Sequence, residues 1–165
     1  MDQPERQRNP YAPPVTNVSD IADAAVANTP FFAVSLRKFA IMSVVTFGLY
    51  EFYWFYKHWS LVSRRHDRPI MPGARAFFAV LFCHAFMAEV RRFEYVGLPP
   101  NHLQAGLLTI GWILFTLTQR LPDPFWVLSI VAFVFLLPAQ ERANEINRLV
   151  EPGHDPNDRL TPLIF

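Results

Sequence analysis

The sequence predicts an all-α integral membrane protein, a helical bundle of about four transmembrane helices with flexible polar termini. Apolar residues make up 52% of the 165 residues and charged residues only 18%, whereas average soluble chains contain about 45–50% and about 25%. The charged residues fall between long apolar runs instead of being spread along every helix. Aromatic residues gather at the ends of these runs, where membrane proteins place them at headgroup level. These observations favour a membrane bundle over a soluble helical protein with an unusually apolar core.

The apolar runs divide the chain into three parts. These are a flexible Pro-containing tail over residues 1–35, a membrane domain over 36–138, and a polar helix and tail over 139–165. The tail has the composition for a short helix over Ser19–Ala27. The apolar segments of the membrane domain are Phe39–Tyr56, Ala74–Val90, Leu103–Leu117 and Phe125–Leu137. A helix needs about 20 residues to span a bilayer, so the short last segment is expected to continue through Pro138 with a kink.

Several classes of protein find no support in the residues. A single cysteine, Cys83, excludes a disulfide scaffold and a Cys-rich zinc module, and a net charge of +1 argues against a basic nucleic-acid-binding protein. A metal site of Cys83, His84 and Met87 is disfavoured, because neighbouring residues on a helix point about 100° apart. The sequence contains no nucleophile motif and no phosphate-binding Gly-rich loop. We therefore expect no catalytic residue, no metal, no cofactor and no nucleic-acid partner.

One run of residues resembles a known family. Thr46-Phe47-Gly48-Leu49-Tyr50 is followed by Tyr53-Trp54-Phe55-Tyr56-Lys57. This run is similar to a signature of Thr-x-Gly-x-Tyr, then Tyr-Trp and a basic residue, at the end of the first membrane helix. The signature belongs to a family of small bacterial multi-pass membrane proteins described only as a domain of unknown function. The resemblance implies the bacterial inner membrane and brings no activity, cofactor or catalytic residue with it.

Four spans would place both termini on one side of the membrane. With the termini in the cytoplasm, a small majority of the 15 Lys and Arg residues lies on that side, as the positive-inside rule requires. The bias is small because the densest basic cluster follows the first apolar segment. If the first two segments lay in the interface without crossing, Arg120 alone would be outside.

The basic cluster after the first segment is also a candidate lipid-binding surface. Each basic residue near a membrane surface attracts anionic lipid by about 1 kcal/mol. We expect Arg64, Arg65 and Arg68 to contact lipid headgroups. The alternative is a solvated loop whose charges only set the topology.

Glu51 and His84 are the ionisable residues deepest in the apolar segments. Such groups are costly inside a membrane and often functional. Counted inward from the ends of two antiparallel helices, their depths differ by about 6 Å, roughly one helical turn. We therefore expect an intramembrane polar pair. The alternative is that Glu51 reaches the interface or a neighbouring helix and that His84 bonds a backbone carbonyl.

For the function, we expect a non-enzymatic accessory or scaffold protein that acts through partner helices and lipids. Its partners would be the lipid bilayer, anionic lipids, and a second copy of the chain or another membrane protein. The alternative is a small oligomeric transporter or channel protomer that uses Glu51 and His84 along an ion path. A membrane enzyme with the same two residues as acid and base is a third hypothesis.

Overall fold

The computed structural model describes residues 29–66 and 70–160. Within these ranges the chain is helical and contains no β-strand, which confirms the all-α prediction. The helices are α1 (Leu36–Val45), α2 (Leu49–His66), α3 (Pro72–Phe77), α4 (Ala79–Arg92), α5 (Ala105–Leu117) and α6 (Leu137–Val150), with 3₁₀ helices at Thr118–Arg120 and Phe125–Leu136. The helix predicted over Ser19–Ala27 lies outside the described residues, as does Arg68.

The first apolar segment, predicted as one helix over Phe39–Tyr56, consists of two helices. Between them, Phe47 and Gly48 take positive φ values of 52° and 85°. Gly48 donates its N–H to the Ser43 carbonyl, and Phe47 donates to the Val44 carbonyl, which is the hydrogen-bond pattern of a Schellman motif. A positive φ suits glycine but strains phenylalanine. The single-helix prediction is therefore wrong at this turn.

Thr46 connects α1 to α2. Its hydroxyl donates to the Met42 carbonyl over 2.7 Å and accepts the backbone N–H of Tyr50 over 2.9 Å. Further along, Phe39 of α1 packs against Trp54 of α2, with ring centroids 5.2 Å apart. The two helices therefore run antiparallel and form a hairpin, with the connecting turn at its tip.

The second apolar segment, predicted as one span over Ala74–Val90, folds back at Phe78. This residue lies between α3 and α4 with φ −93° and ψ 38°, outside the α-helical region. Phe77 and Ala79, on either side of it, border the same cavity as Phe52 near the start of α2. The middle of the segment therefore lies beside the start of α2.

Both ends of this segment lie beside the opposite end of α2. The Ser63 hydroxyl donates to the Ile70 carbonyl over 3.4 Å, and Arg65 forms an ion pair with Glu89 over 2.5 Å. The segment thus enters and leaves at the same end of the molecule, as a re-entrant helical hairpin. The sequence did not signal the reversal, because its apolar residues continue through Phe78 without a glycine or proline.

α5 and the long 3₁₀ helix form a third hairpin. They pack so closely that a Cβ added at Gly111 would clash with the ring of Phe135. A 3₁₀ helix rises about 2.0 Å per residue, so this one reaches about 24 Å, against about 18 Å for an α-helix of the same length. The 3₁₀ helix continues into α6. Pro138 lies in the first turn of α6, where the missing backbone N–H of proline costs no intrahelical hydrogen bond. In the described residues, Phe125–Val150 is the one helix long and apolar enough to cross a membrane by length and composition.

The hairpins give the molecule two different ends. The apolar end comprises the turn at 46–49, the fold-back at 77–80 and the third tip at 116–129, all of which border one cavity. The polar end comprises the ends of α2 and α4, most of α6 and the buried segment Thr29–Val34. Lys38 donates to Asn157 over 2.8 Å there, so the first and last described parts of the chain meet at the polar end.

Candidate functional site

Glu51 is a buried carboxyl at the apolar end. Its position in the first turn of α2, just after Gly48, directs it into the bundle, where it is 5% exposed. Its Oε2 accepts the indole N–H of Trp112 on α5 over 2.6 Å. Among the described residues, no Lys, Arg or His forms an ion pair with it. A buried carboxyl without a cation is costly, so this position calls for an explanation.

A cavity of about 150 Å³ opens beside Glu51. Its walls are mainly apolar and aromatic, and its lining residues include no Lys, Arg or His. Thr116, Gln119 and Ser129 supply the other polar groups. The Thr116 hydroxyl is buried and has no hydrogen-bond partner among the described residues.

The structure does not bring His84 to Glu51. His84 is exposed on α4, whereas its neighbour Cys83 is fully buried. Successive residues on a helix point about 100° apart, so burying Cys83 turns His84 outward. The expected depth of His84 also assumed a straight second helix, and the fold-back at Phe78 removes that assumption. In place of the expected partner, Glu51 has Trp112.

Sequence reasoning missed Trp112, although a signal was present. An indole N–H buried in an apolar helix needs an acceptor. Trp112 lies in the middle of α5 among residues that offer few acceptors. The sequence therefore contained a signal for this pair, because Trp112 needs an acceptor and Glu51 is an acceptor in another apolar segment.

A second buried polar cluster is centred on Gln140 of α6. Its Oε1 lies 2.5 Å from Trp54 Nε1 and 3.1 Å from His58 Nε2. Since this oxygen only accepts, His58 carries its proton on Nε2, and its Nδ1 accepts the N–H of Phe32 over 3.4 Å. The Gln140 amide nitrogen lies within hydrogen-bond distance of the carbonyls of Phe32 and Val34. All of these polar side chains are fully or almost fully buried.

Other amide side chains hold the same extended segment. Asn147 both accepts the Phe31 N–H over 3.1 Å and donates to the Phe31 carbonyl over 2.7 Å. Asn144 donates to the Val34 carbonyl over 2.8 Å, and Asn157 to that of Ala33 over 3.0 Å. Residues 29–34 are consequently buried, so the expectation of a flexible tail is wrong for this part of residues 1–35.

The amides of α6 share one face of the helix. Gln140, Asn144 and Asn147 follow a spacing of four and three residues, which places side chains on the same side of an α-helix. We call them, with His58, the amide clamp. Their spacing in the sequence is a signal for such a shared polar face, and it went unrecognised in the sequence.

The candidate lipid-contacting arginines are in different environments. Arg64 is exposed. Arg65 instead binds Glu89 and the Pro30 carbonyl, and its guanidinium lies 4.9 Å from the centroid of the Phe31 ring. Burial alone would raise the pKa of Glu89, but hydrogen bonds from His66 and Arg65 and their positive charges hold the pKa below its usual value. Arg65 therefore has an internal role at the polar end.

In the part of the chain that the structure describes, no group of three or more His, Cys, Asp or Glu residues could hold a metal ion. The chemistry available at the cavity is therefore that of a single carboxyl with aromatic walls and neutral polar groups.

Comparisons with known proteins gave one match. The model of the family Domain of unknown function (DUF4234) matches residues 34–137, more than half of the chain. The matched range includes Glu51 and Trp112 and ends before Gln140. No curated protein and no solved structure matched the chain.

Proposed function

The chain belongs to the family Domain of unknown function (DUF4234), and for its function we propose a non-enzymatic accessory or scaffold role in a membrane. The family description names no activity, so the proposal rests on the surface of this chain. The apolar end lies in the bilayer, and the protein acts through partner helices and lipids.

The observation that carries this proposal is the exposure of large apolar side chains on every hairpin. Leu49 is 69% exposed, Phe77 74%, Leu81 72% and Leu107 65%. They belong to α2, α3, α4 and α5, so apolar surface is distributed around the bundle. Soluble monomers seldom expose contiguous apolar patches larger than a few hundred Å². A lipid bilayer is the solvent that suits such a surface.

The three hairpins define how the chain would lie in the bilayer. α2 has 18 residues and reaches about 27 Å, from its apolar start in the bilayer to its basic last turn with Arg64 and Arg65 at the polar end. In this arrangement the four passages are α1 with the segment before it, α2, α5 and the long 3₁₀ helix. The α3–α4 hairpin enters without crossing. Glu89 and the other charged groups of the polar end lie outside the hydrocarbon region.

The amide clamp supports this placement. Non-helical backbone at membrane depth is tolerated only where protein buries it and satisfies its polar groups. The extended segment before α1 is buried, and Asn147, Gln140, Asn144 and His58 bond its backbone. It can therefore lie at the edge of a bilayer without exposing unpaired N–H or C=O groups to lipid.

The fold-back strengthens the assignment of orientation. It places Arg64 and Arg65 at the same end as Arg91, Arg92 and the described chain ends, whereas Arg120 lies at the opposite tip. Basic residues favour the cytoplasmic side. We infer that the polar end and both termini are cytoplasmic, in a bacterial inner membrane.

A small oligomeric transporter or channel protomer is the second candidate, and one observation favours it. Glu51 borders a cavity that opens at the apolar end. An ion path was expected to use Glu51 and His84 together. His84 is exposed on α4, so it does not lie beside Glu51 in such a path. The proposal of a scaffold therefore stands ahead of transport.

The first experiment tests membrane insertion. The full chain is produced in bacterial cells, and the membranes are extracted with alkaline carbonate. We expect the protein to stay in the membrane pellet. Recovery in the soluble fraction without detergent would contradict the membrane placement.

The second experiment tests the scaffold role in intact membranes. A photo-crosslinking amino acid replaces Leu81 or Leu114, which are exposed, or Phe86, which is fully buried, as the matched control. We expect an exposed position to capture a defined membrane protein and the buried position to capture none. Two results together would favour transport instead. These are crosslinks to lipid alone, and failure of Glu51→Gln to restore the phenotype of a deletion strain that the wild-type protein restores.

A further inference from the structure

The cavity at the apolar end has the properties of a binding site for an organic cation. Glu51 is 5% exposed, borders the cavity, and accepts the indole N–H of Trp112. An ionised carboxylate in such surroundings needs a cation to compensate its desolvation. Among the described residues, no Lys, Arg or His lines the cavity. Electrostatic complementarity therefore favours a positively charged group beside Glu51.

Aromatic rings form much of the cavity wall. Phe52, Phe55, Phe77 and Trp112 all border it, and Phe55 packs against Trp112 with centroids 5.3 Å apart. The faces of aromatic rings attract ammonium groups within about 6 Å, most strongly where water is excluded. A carboxyl surrounded by aromatic rings is a combination that recognises alkylated ammonium groups.

The remaining polar groups also fit a cation. Thr116 has a buried hydroxyl without a partner, and Gln119 and Ser129 line the same cavity. Hydroxyl and amide oxygens accept hydrogen bonds from ammonium groups. An anionic ligand would meet the Glu51 carboxyl without any basic residue to balance its charge. A purely apolar ligand would leave the Thr116 hydroxyl and the carboxyl unpaired.

The size and the mouth of the cavity define the rest of the ligand. About 150 Å³ holds a group of roughly the size of a benzene ring, so an ammonium headgroup fits and a large polycyclic cation does not. Phe47 and Leu49 line the cavity and are 63% and 69% exposed. An alkyl tail can therefore leave through the mouth along these side chains.

We propose that this cavity binds the ammonium group of an alkylammonium amphiphile, with Glu51 as its counter-ion and the alkyl tail directed out past Phe47 and Leu49. This binding does not depend on the scaffold role. Lipids with an ammonium headgroup and soluble alkylamines share the required chemistry.

The test measures binding of octylammonium, which keeps three N–H donors, to the purified full chain in maltoside micelles by isothermal titration calorimetry. We expect saturable binding to the wild type and an affinity lower by at least about tenfold in Glu51→Gln, because the charge pair is lost. Glu94→Gln, an exposed position outside the cavity, is the matched control and should bind as the wild type does. Octanol and octanoate, which keep the tail and change the head, should bind much more weakly.

Thr116→Val keeps the test decisive if Glu51→Gln fails to fold. The Thr116 hydroxyl has no partner to lose, so this variant should unfold at the wild-type temperature and bind the probe severalfold more weakly. Competition by phosphatidylethanolamine would show that a lipid headgroup can occupy the cavity, whereas binding of octylammonium without such competition would favour a soluble alkylamine. Equal affinity in Glu51→Gln and wild type, or octanol binding as well as octylammonium, would overturn the proposal.

Discussion

Trp112 donates its indole N–H to the Glu51 carboxyl over 2.6 Å, across 61 positions of sequence. This hydrogen bond ties α5 of the third hairpin to α2 of the first at the apolar end. Among the described residues, Trp112 is the one hydrogen-bond donor to this carboxyl beside the cavity. The pair is therefore both a packing contact between hairpins and the polar feature of the candidate site.

Removing this donor should destabilise the fold. Trp112→Phe keeps an aromatic ring but leaves the Glu51 carboxyl unsatisfied, so we expect the free energy of unfolding to fall by about 1–3 kcal/mol. Trp126→Phe is the control, because Trp126 donates a similar bond to Asp123 but is 37% exposed. Denaturant unfolding in micelles measures both variants. Equal losses would mean that burial of the Glu51–Trp112 bond adds no stability.

The amide clamp predicts a large effect at Gln140. Gln140→Leu keeps the volume but removes the partner of Trp54 Nε1, of His58 Nε2 and of the Phe32 carbonyl, which should cost at least about 2 kcal/mol. Gln104→Leu, at an exposed position without a side-chain cap bond, should have little effect. Limited proteolysis before Phe31 should also accelerate in Gln140→Leu alone. Unchanged proteolysis would indicate that the clamp does not hold the segment.

Two glycines on α5 provide a matched pair. A Cβ at Gly111 would clash with the Phe135 ring, whereas no described atom lies within 4 Å of a Cβ at Gly106. Gly111→Ala should therefore lower the free energy of unfolding by about 1–3 kcal/mol. Gly106→Ala should raise it by up to about 1 kcal/mol through helix propensity. Combining Gly111→Ala with Phe135→Leu should recover part of the loss, and full additivity would contradict the contact.

The ion pairs of Glu89 should make stability depend on pH in the acid range. The pKa of Glu89 is lowered in the folded protein, so its contribution is complete above the unfolded-state value of about 4.3. The contribution is lost as pH falls through the lower folded pKa. Unfolding curves between pH 7 and pH 3 should show a smaller acid-induced loss in Glu89→Gln than in the wild type, with Glu94→Gln as control. A parallel pH dependence in all three proteins would argue against the assignment.

The sequence predicted the helical class correctly, because composition and apolar runs report burial independently of topology. It did not predict the turn at Phe47, since a positive φ at phenylalanine opposes the local preference. The fold-back at Phe78 depends on contacts of α3 and α4 with α2, and no local residue signals it. His84 is exposed because α4 buries its neighbour Cys83 instead.

Partners of buried polar groups were the least predictable feature. Glu51 was recognised from its apolar surroundings, but its partner lies 61 positions away, and spacing along the chain carries no information about such a pair. Gln140, Asn144 and Asn147 showed helical spacing, yet their targets are backbone groups of an extended segment that composition assigned to a tail.

The central claim is that the hairpins enter the membrane from the cytoplasmic polar end and that the α3–α4 hairpin does not cross. Single cysteines at Met71, Glu94 and Asp123, in a Cys83→Ser background, can be labelled with a membrane-impermeant maleimide in intact cells and in inverted vesicles. All three positions are exposed. We expect Met71 and Glu94 to react in inverted vesicles only, and Asp123 to react in intact cells. Labelling of Met71 and Glu94 from opposite sides of the membrane would contradict the re-entrant arrangement.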